Sequence, residues 1–168
     1  MSRGITVLKP GAQLLIEDLG RPGHAAVGLS PSGALDVRAL RLANRLAGNA
    51  PGAAGLELLL GNAELEFSAD AVVAVTGARG PLAVAGASPA GSAALTNRPL
   101  VLQAGERLRI GPAQAGLRYY LAVAGGIEAD PLMGSRSADL LSGLGPAPLR
   151  AGDVLGIGQV PAAAPEAA

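Results

Sequence analysis

Short apolar runs separated by glycine- and proline-rich turns repeat along most of the chain. The turns recur at intervals of about ten residues, a spacing typical of short antiparallel strands. Apolar and acidic positions alternate through residues 63–67, as in a strand with one buried face. The predicted strands are residues 5–8, 13–16, 56–60, 63–67, 71–76, 82–85, 100–103, 107–110, 117–123 and 153–157.

One stretch follows the helical period instead. Residues 34–47 carry apolar side chains at helical spacing and predict a single amphipathic helix. We expect Ser32 or Gly33 to cap its start, with Asp36 in the first turn, where the helix dipole favours an acid. Gly48 can end the helix in a left-handed conformation. The apolar positions are Leu35, Ala39, Leu42, Ala43 and Leu46.

Together these elements predict a mainly β protein, an antiparallel barrel that is closed or half closed and carries one main helix. We expect one domain over residues 1–160. Residues 161–168 are rich in proline and alanine and show no periodicity, so they are predicted to form a flexible tail.

Composition narrows the class of function. Hydrophobic residues make up 49% of the chain, which argues against disorder. Aromatic residues are only 2% and the formal net charge is zero, so the chain lacks the stacking surface and the basic stripe that nucleic-acid binding needs. The N-terminal stretch lacks the apolar segment of a secretory signal, and the apolar runs are much shorter than the roughly 20 residues of a membrane span. We therefore expect a soluble cytoplasmic protein that binds neither nucleic acid nor membrane.

The sequence lacks the residues that several common kinds of catalytic or binding site need. The chain has no cysteine, and its only histidine is His24, which we interpret as an ordinary surface histidine rather than a catalytic base. The only lysine is Lys9, so a phosphate-binding loop that ends in Lys-Ser or Lys-Thr is absent. Carboxylates are scattered, and we predict no metal site.

The glycine- and proline-rich loop before the predicted helix is the first candidate site. Here Arg21 can pair with a substrate carboxylate, and the backbone amides around Ser32 and Gly33 can hold an anion. Asp18 and Asp36 are the candidate catalytic groups, because a carboxylate can move protons. The alternative interpretation is structural: Arg21 bridges Asp18 or Asp36, and Asp36 serves only the helix dipole.

The second candidate segment joins a strand to a polar cluster. Residues 119–126 end in Gly-Gly, which allows a close approach to the backbone, and residues 134–139 follow with Ser135, Arg136 and Asp139. A buried, salt-bridged turn is the alternative interpretation of this cluster.

A family resemblance runs through both segments. In this order the chain contains the phrases DLGRPG (18–23), SPSGALD (30–36), ANRLAGN (43–49), LE (56–57), VTGA (75–78), YLAVAGGI (120–127) and GSRSADL (134–140). Together they resemble the biotin-dependent carboxyltransferase family, also called allophanate hydrolase subunit 2. That family includes the C subunit of 5-oxoprolinase and the carboxyltransferase region of urea carboxylase. Its members are about twice this length, so the match corresponds to the first half of the family.

The resemblance implies a cyclophilin-like β-barrel and an enzymatic role within a complex. The implied function is that of one component of an ATP-dependent 5-oxoprolinase, which opens 5-oxoproline to glutamate. The implied partners are a cyclophilin-fold protein similar to the B subunit of 5-oxoprolinase and one further subunit. Arg21 or Arg136 would then hold the carboxylate of the small amide or lactam substrate. No cofactor is expected in this chain, and ATP would be used by the complex.

Two alternatives remain open. One is transfer of a carboxyl group from carboxybiotin to urea or a related amide, in which case biotin would be carried by another chain or domain. The other is a non-catalytic interaction or regulatory module, because a fold does not by itself imply an activity.

Overall fold

The computed structural model describes residues 2–86 and 92–160. Within these residues the chain forms eleven strands, one α-helix and a short 3-10 helix at Ala25–Val27. Residues 161–168, predicted from the sequence as a tail, lie outside the described residues. The elements are β1 (Gly4–Lys9), β2 (Gln13–Glu17), α1 (Val37–Leu46), β3 (Gly55–Leu59), β4 (Ala63–Phe67), β5 (Ala71–Arg79), β6 (Leu82–Ala85), β7 (Ser92–Ala94), β8 (Pro99–Leu102), β9 (Arg107–Ile110), β10 (Ala115–Val123) and β11 (Val154–Gly156).

The strands form two antiparallel sheets. One sheet has the order β11-β1-β4-β9-β6-β7, and the other has the order β2-β3-β10-β5-β8. The prediction of a mainly β, antiparallel, barrel-like fold with one main helix is confirmed. No helix in the described part of the chain has the length and hydrophobicity of a membrane span.

The main core lies between the two sheets and consists almost entirely of aliphatic side chains. β4 shows how the sequence builds it: Phe67 and its alternate neighbours point inward, while the acids between them face out. On the outer face Glu66 pairs with Arg107 at 2.8 Å and Glu64 pairs with Arg109 at 3.3 Å. The alternation in the sequence therefore predicts the buried face of this strand correctly.

Helix α1 packs on the other face of the second sheet and forms a smaller core of its own. Leu40 and Ala43 are fully buried in a cluster with Tyr120 and Ala122 of β10. The hydroxyl of Thr76 donates a hydrogen bond of 2.7 Å to a backbone carbonyl of the helix. The side chains of β10 therefore alternate between the main core and the layer beneath the helix.

The helix starts later than the sequence pattern indicates. It begins at Val37, and Asp36 caps it by accepting a hydrogen bond of 3.0 Å from the N–H of Ala39. The expectation that Ser32 or Gly33 caps the helix was wrong, because both residues have positive φ angles, 52° and 91°, and lie in the preceding loop. The predicted end is correct, since Gly48 has a φ of 78°.

Candidate functional site

The loop between β2 and α1 leaves the sheet and returns to it beside Asp18. The N–H of Ala34 donates to the carbonyl oxygen of Asp18 at 2.9 Å, and the N–H of Arg21 donates to that of Pro31 at 2.6 Å. These two hydrogen bonds close the base of the loop, and the short 3-10 helix lies in the part between them. The loop therefore has a fixed base.

Two glycines make this base possible. Gly20 and Gly33 have φ angles of 85° and 91°, in a region that residues other than glycine rarely adopt. Their backbones also touch, since a Cβ atom on Gly33 would lie 2.7 Å from the nitrogen of Gly20. Gly20 and Gly33 are therefore required by the packing of the loop base.

Asp18 connects the two segments that the sequence singles out. Its buried carboxylate accepts hydrogen bonds from the hydroxyls of Ser135 and Ser137 at 2.6 and 2.7 Å. The backbone N–H groups of Gly20 and Arg136 donate to it as well, each at 2.7 Å. Burial alone would raise the pKa of Asp18, but these hydrogen bonds outweigh it and lower the pKa. Asp18 is therefore ionised and forms a hub of four hydrogen bonds that joins the two segments.

Arg21 is enclosed beside this hub, with only 1% of its surface exposed. Its guanidinium donates to the carbonyl oxygen of Ser137 at 2.6 Å, to the carbonyl oxygen of Leu132 at 3.3 Å and to the hydroxyl of Ser32 at 3.2 Å. Within the described residues it forms no ion pair with a carboxylate, contrary to the expected bridge to Asp18 or Asp36. The placement favours a structural role, and substrate binding by Arg21 stays a prediction.

The amides around Ser32 and Gly33 do not stand at a helix start. The N–H of Ser32 donates to the hydroxyl of Ser30 at 3.2 Å, and the N–H of Ala34 is used at the base of the loop. Two of the donors expected to hold an anion are thus engaged within the chain. A substrate-binding role for Ser32 and Gly33 stays a prediction.

Two predicted site residues are exposed: Asp36, which borders a cleft of about 320 Å³, and Arg136. The backbone of Arg136 is held by Asp18, while its exposed side chain lines a cleft of about 610 Å³. The Nε atom donates to the carbonyl oxygen of Ala129 at 2.8 Å, and the two Nη atoms have no partner among residues 2–86 and 92–160. The exposed carboxylates of Glu128 and Asp130 line the same cleft. This cleft is the best candidate for a small-molecule site.

The Gly-Gly pair at the end of β10 also lines this cleft. A Cβ atom on Gly125 would collide with the carbonyl oxygen of Gly158, and the N–H of Gly158 donates to the carbonyl oxygen of Gly126 at 3.1 Å. The group that approaches the Gly-Gly backbone is therefore a later segment of the same chain. The glycines shape one wall of the cleft.

A second polar network lies under the start of α1. Buried Glu57 accepts hydrogen bonds from the hydroxyl of Tyr120 at 2.8 Å, from the N–H of Leu35 at 2.9 Å and from Arg118 at 2.9 Å. The Tyr120 hydroxyl in turn accepts from the N–H of Asp36 at 2.8 Å. Burial, with the neighbouring carboxylate, raises the pKa of Tyr120. The network holds Asp36 at the helix start, where its side chain acts as the cap, and a catalytic role for Asp36 stays a prediction.

Glu17 is a buried acid that lies between these two networks. It is 4% exposed, and its Oε2 atom has no hydrogen-bond partner among the described residues. Burial, together with the nearby carboxylates of Glu57 and Asp18, raises the pKa of Glu17 to about 8. The side chain is therefore mostly protonated at neutral pH.

The remaining candidates have simple placements. His24 is half-buried and immediately precedes the short 3-10 helix, away from the residues lining the cleft. Asp139 accepts a hydrogen bond of 2.7 Å from the hydroxyl of Ser142, which lowers its pKa. Over residues 2–86 and 92–160 no three His, Cys, Asp or Glu side chains are grouped as metal ligands.

Sequence reasoning missed several polar groups that organise the site. Glu57 and Glu17 lie in or at the end of strands, and a signal was present, because each is an acid on a strand face that is otherwise buried. The cleft acids Glu128 and Asp130 carried no comparable signal, since they occur in an irregular segment after β10.

This chain is similar to proteins of a known family. A family model described as carboxyltransferase domain, subdomain A and B, matches residues 27–168. The chain is 41% identical over 158 residues to the C subunit of 5-oxoprolinase from Escherichia coli (strain K12), covering 92% of this chain and 49% of that protein. The chain therefore spans about half the length of this relative.

Relatives of a second kind are similar over the same range. The chain is 35% identical over 157 residues to urea amidolyase of Lachancea kluyveri, which covers 91% of this chain and 8% of that protein. The crystal structure of the K. lactis urea amidolyase superposes with a TM-score of 0.89 at 32% identity, over 98% of this chain and 10% of that chain.

Proposed function

The chain belongs to the carboxyltransferase domain family, and from this premise we propose that it is one component of an ATP-dependent complex that opens 5-oxoproline to glutamate. The observation that carries the proposal is the 41% identity to the C subunit of a 5-oxoprolinase over 92% of this chain. The partners in this proposal are a cyclophilin-fold protein similar to the B subunit of 5-oxoprolinase and one further subunit. ATP is bound elsewhere in the complex, because this sequence has no phosphate-binding loop of the Lys-Ser or Lys-Thr type.

The guanidinium of Arg136 in this cleft fits the carboxylate of this substrate. 5-Oxoproline carries a carboxylate next to its lactam ring, and a guanidinium binds a carboxylate through two parallel hydrogen bonds. The Nε atom of Arg136 is occupied by the carbonyl oxygen of Ala129, so the two Nη atoms are left to form such a pair end-on. The contact to Ala129 also limits the directions in which the guanidinium can point.

The chemistry of ring opening needs proton transfer near the bound lactam. Water adds its oxygen to the carbonyl carbon and gives up a proton, the carbon–nitrogen bond breaks, and the nitrogen gains a proton as an amine that stays attached to the product. Glu128 and Asp130 place two exposed carboxylates at the same cleft, and in this proposal they accept and return these protons. Asp18 positions Arg136, whose backbone N–H it binds.

The test is glutamate release by the assembled complex. The chain is produced together with the proteins encoded beside it, and free glutamate is measured with 5-oxoproline, with and without ATP. The proposal predicts ATP-dependent release that disappears when this chain is omitted. Equal release without the chain would instead indicate an interaction or regulatory module, and absence of release from the complete set would overturn the proposal.

Carboxyl transfer is the second candidate, because the chain superposes on the K. lactis urea amidolyase with a TM-score of 0.89. In that case biotin is carried by another chain or domain, and this chain contributes to the site in which the carboxyl group reaches the amide nitrogen. The two candidates differ in one measurement. Carboxyl transfer would be supported if labelled bicarbonate is incorporated into urea, if avidin inhibits this incorporation, and if no glutamate is released.

A further inference from the structure

Helix α1 presents a row of three arginines to solvent. Arg38, Arg41 and Arg45 are exposed, and their spacing of three and four residues places them within about 60° of one another around the helix axis. The row is about 10 Å long, from the rise of an α-helix over seven residues. A chain with a net charge of zero therefore carries a concentrated positive surface.

The row forms no ion pair within the described residues. The helix contains no acidic residue, and the ion pairs found in residues 2–86 and 92–160 involve Arg107, Arg109 and Arg118 instead. Like charges four residues apart on a helix, as at Arg41 and Arg45, destabilise it by about 0.2–0.5 kcal/mol. Arg45 lies in the last turn, where the helix dipole favours a cation, but Arg38 and Arg41 lie outside that turn.

The arginines also border a shallow groove of about 380 Å³. Leu42, which is half-buried, lies between them, and Asn49 and Pro51 form the far side. A mixture of arginine with a small apolar surface is typical of a protein interface, where arginine is enriched and other charged residues are depleted. The three charges do not converge on one point in the groove, because the arginines follow one another along the helix axis.

We propose that this row, Arg38, Arg41 and Arg45, docks an acidic helical segment of a partner protein. The charges call for carboxylates, and their linear spacing matches acids three and seven residues apart on one face of a facing helix. An aliphatic side chain of that segment covers Leu42. A single phosphate would need the arginines to converge, so a linear array of carboxylates fits the geometry better. The proposal does not depend on which reaction the complex catalyses.

The probe is a fluorescein-labelled helical peptide with Glu at positions 1, 4 and 8 of one face and Leu beside them. Fluorescence anisotropy measures its binding to the full chain, and we expect an affinity that falls as salt is raised. The combined variant Arg38→Gln, Arg41→Gln, Arg45→Gln is expected to bind at least about tenfold more weakly, from the loss of three charge contacts. A peptide with Gln in place of Glu is expected not to bind.

The matched control removes the same number of charges elsewhere. Arg79, Arg98 and Arg150 are exposed arginines that do not line the groove, and changing all three to Gln gives the same net charge. This control variant should bind the Glu peptide as the unchanged protein does. If both triple variants lose affinity equally, the binding is non-specific and the proposal fails.

Charge reversal keeps the test decisive if the Gln variant folds poorly. The variant Arg38→Glu, Arg41→Glu, Arg45→Glu should lose the Glu peptide and gain a matching Lys peptide. Failure of the Glu peptide to bind the unchanged protein at low salt would overturn the proposal. Binding of pyrophosphate to the row as tightly as the peptide would also overturn it, since this result identifies a phosphate site. Binding of phosphatidylserine vesicles without binding of the peptide would overturn it as well, since this result identifies a membrane surface.

Discussion

The carboxylate of Asp18 accepts a hydrogen bond of 2.7 Å from the backbone N–H of Arg136, which lies 118 positions later in the chain. The same carboxylate holds the serine on either side of that arginine. The loop after β2 and the arginine that lines the cleft of about 610 Å³ are therefore fixed to each other.

Replacing Asp18 tests this connection through stability. In Asp18→Asn one acceptor oxygen becomes an NH₂ group that faces donors, and we expect the free energy of unfolding to fall by about 2–4 kcal/mol. Denaturant titration at neutral pH measures the change. The exposed Asp70, which accepts one hydrogen bond from Ala104, provides the control, and Asp70→Asn should cost much less.

The pH dependence of Asp18 has a definite sign. Its pKa is lower in the folded chain than the ordinary value of 3.8, so its stabilisation is complete above that value. As the pH falls below about 3.8, the unfolded state binds the proton first and the contribution of Asp18 is lost. The Asn variant should therefore differ least from the unchanged chain in strong acid.

Glu17 should have the opposite effect on stability. Its pKa is about 8 in the folded chain and 4.5 without the fold, so the unfolded state releases its proton first as the pH rises. The free energy of unfolding then falls between about pH 4.5 and 8. Glu17→Gln removes this loss, and we expect it to stabilise the chain by roughly 2–3 kcal/mol at pH 7 to 8 and to flatten the pH profile.

Two adjacent tyrosines provide a matched pair. Tyr119 and Tyr120 are both fully buried, but the hydroxyl of Tyr119 has no partner in the described residues while that of Tyr120 joins Asp36 to Glu57. Tyr120→Phe removes both of these hydrogen bonds and leaves the N–H of Asp36 without its acceptor, so it should cost about 1–3 kcal/mol, whereas Tyr119→Phe should cost less than about 0.5 kcal/mol. Thermal unfolding of the two variants gives the comparison. Equal losses would show that the Tyr120 network adds nothing to stability.

Alanine variants of two glycines separate the loss of stability that backbone strain causes from the loss that tight packing causes. Gly23 and Gly33 have φ angles of 93° and 91°, but an added Cβ meets nothing within 4 Å at Gly23 and lies 2.7 Å from the nitrogen of Gly20 at Gly33. Both alanine variants should lose about 1–2 kcal/mol to the left-handed conformation. Gly33→Ala should lose roughly 1–3 kcal/mol more, because backbone atoms must move. Similar chemical denaturation of the two variants would contradict the packing of the loop base.

Local patterns predicted the elements of the fold well. The alternation in residues 63–67 indicated a strand with the correct buried face, and the helical period found α1. The start of the helix was misplaced because Ser32 and Gly33 resemble caps in sequence, whereas the hydrogen bonds of Asp36 decide the cap in the structure. β7 was missed because Ser92–Ala94 offers little hydrophobic signal and is held by pairing with β6.

The candidate site was only partly predictable. The sequence singled out Asp18, Arg21 and Arg136, but it could not show that Asp18 binds the backbone of Arg136, since that contact depends on the pairing of distant strands. It also could not distinguish the buried guanidinium of Arg21 from the exposed one of Arg136, because the two residues are of the same type and differ in their burial. Glu57 and Tyr120 appear in the sequence only as parts of a pattern, and their hydrogen bond forms across β3 and β10.

The most direct test of the proposed function is the KM for 5-oxoproline of the assembled complex that carries Arg136→Gln. We expect KM to rise by roughly ten- to a hundredfold, from the loss of charge-assisted hydrogen bonds to the substrate carboxylate, while kcat changes much less. Arg150→Gln, an exposed arginine outside the cleft, should leave KM unchanged. A complex with Arg136→Gln that keeps the KM of the unchanged complex would contradict substrate binding at this cleft.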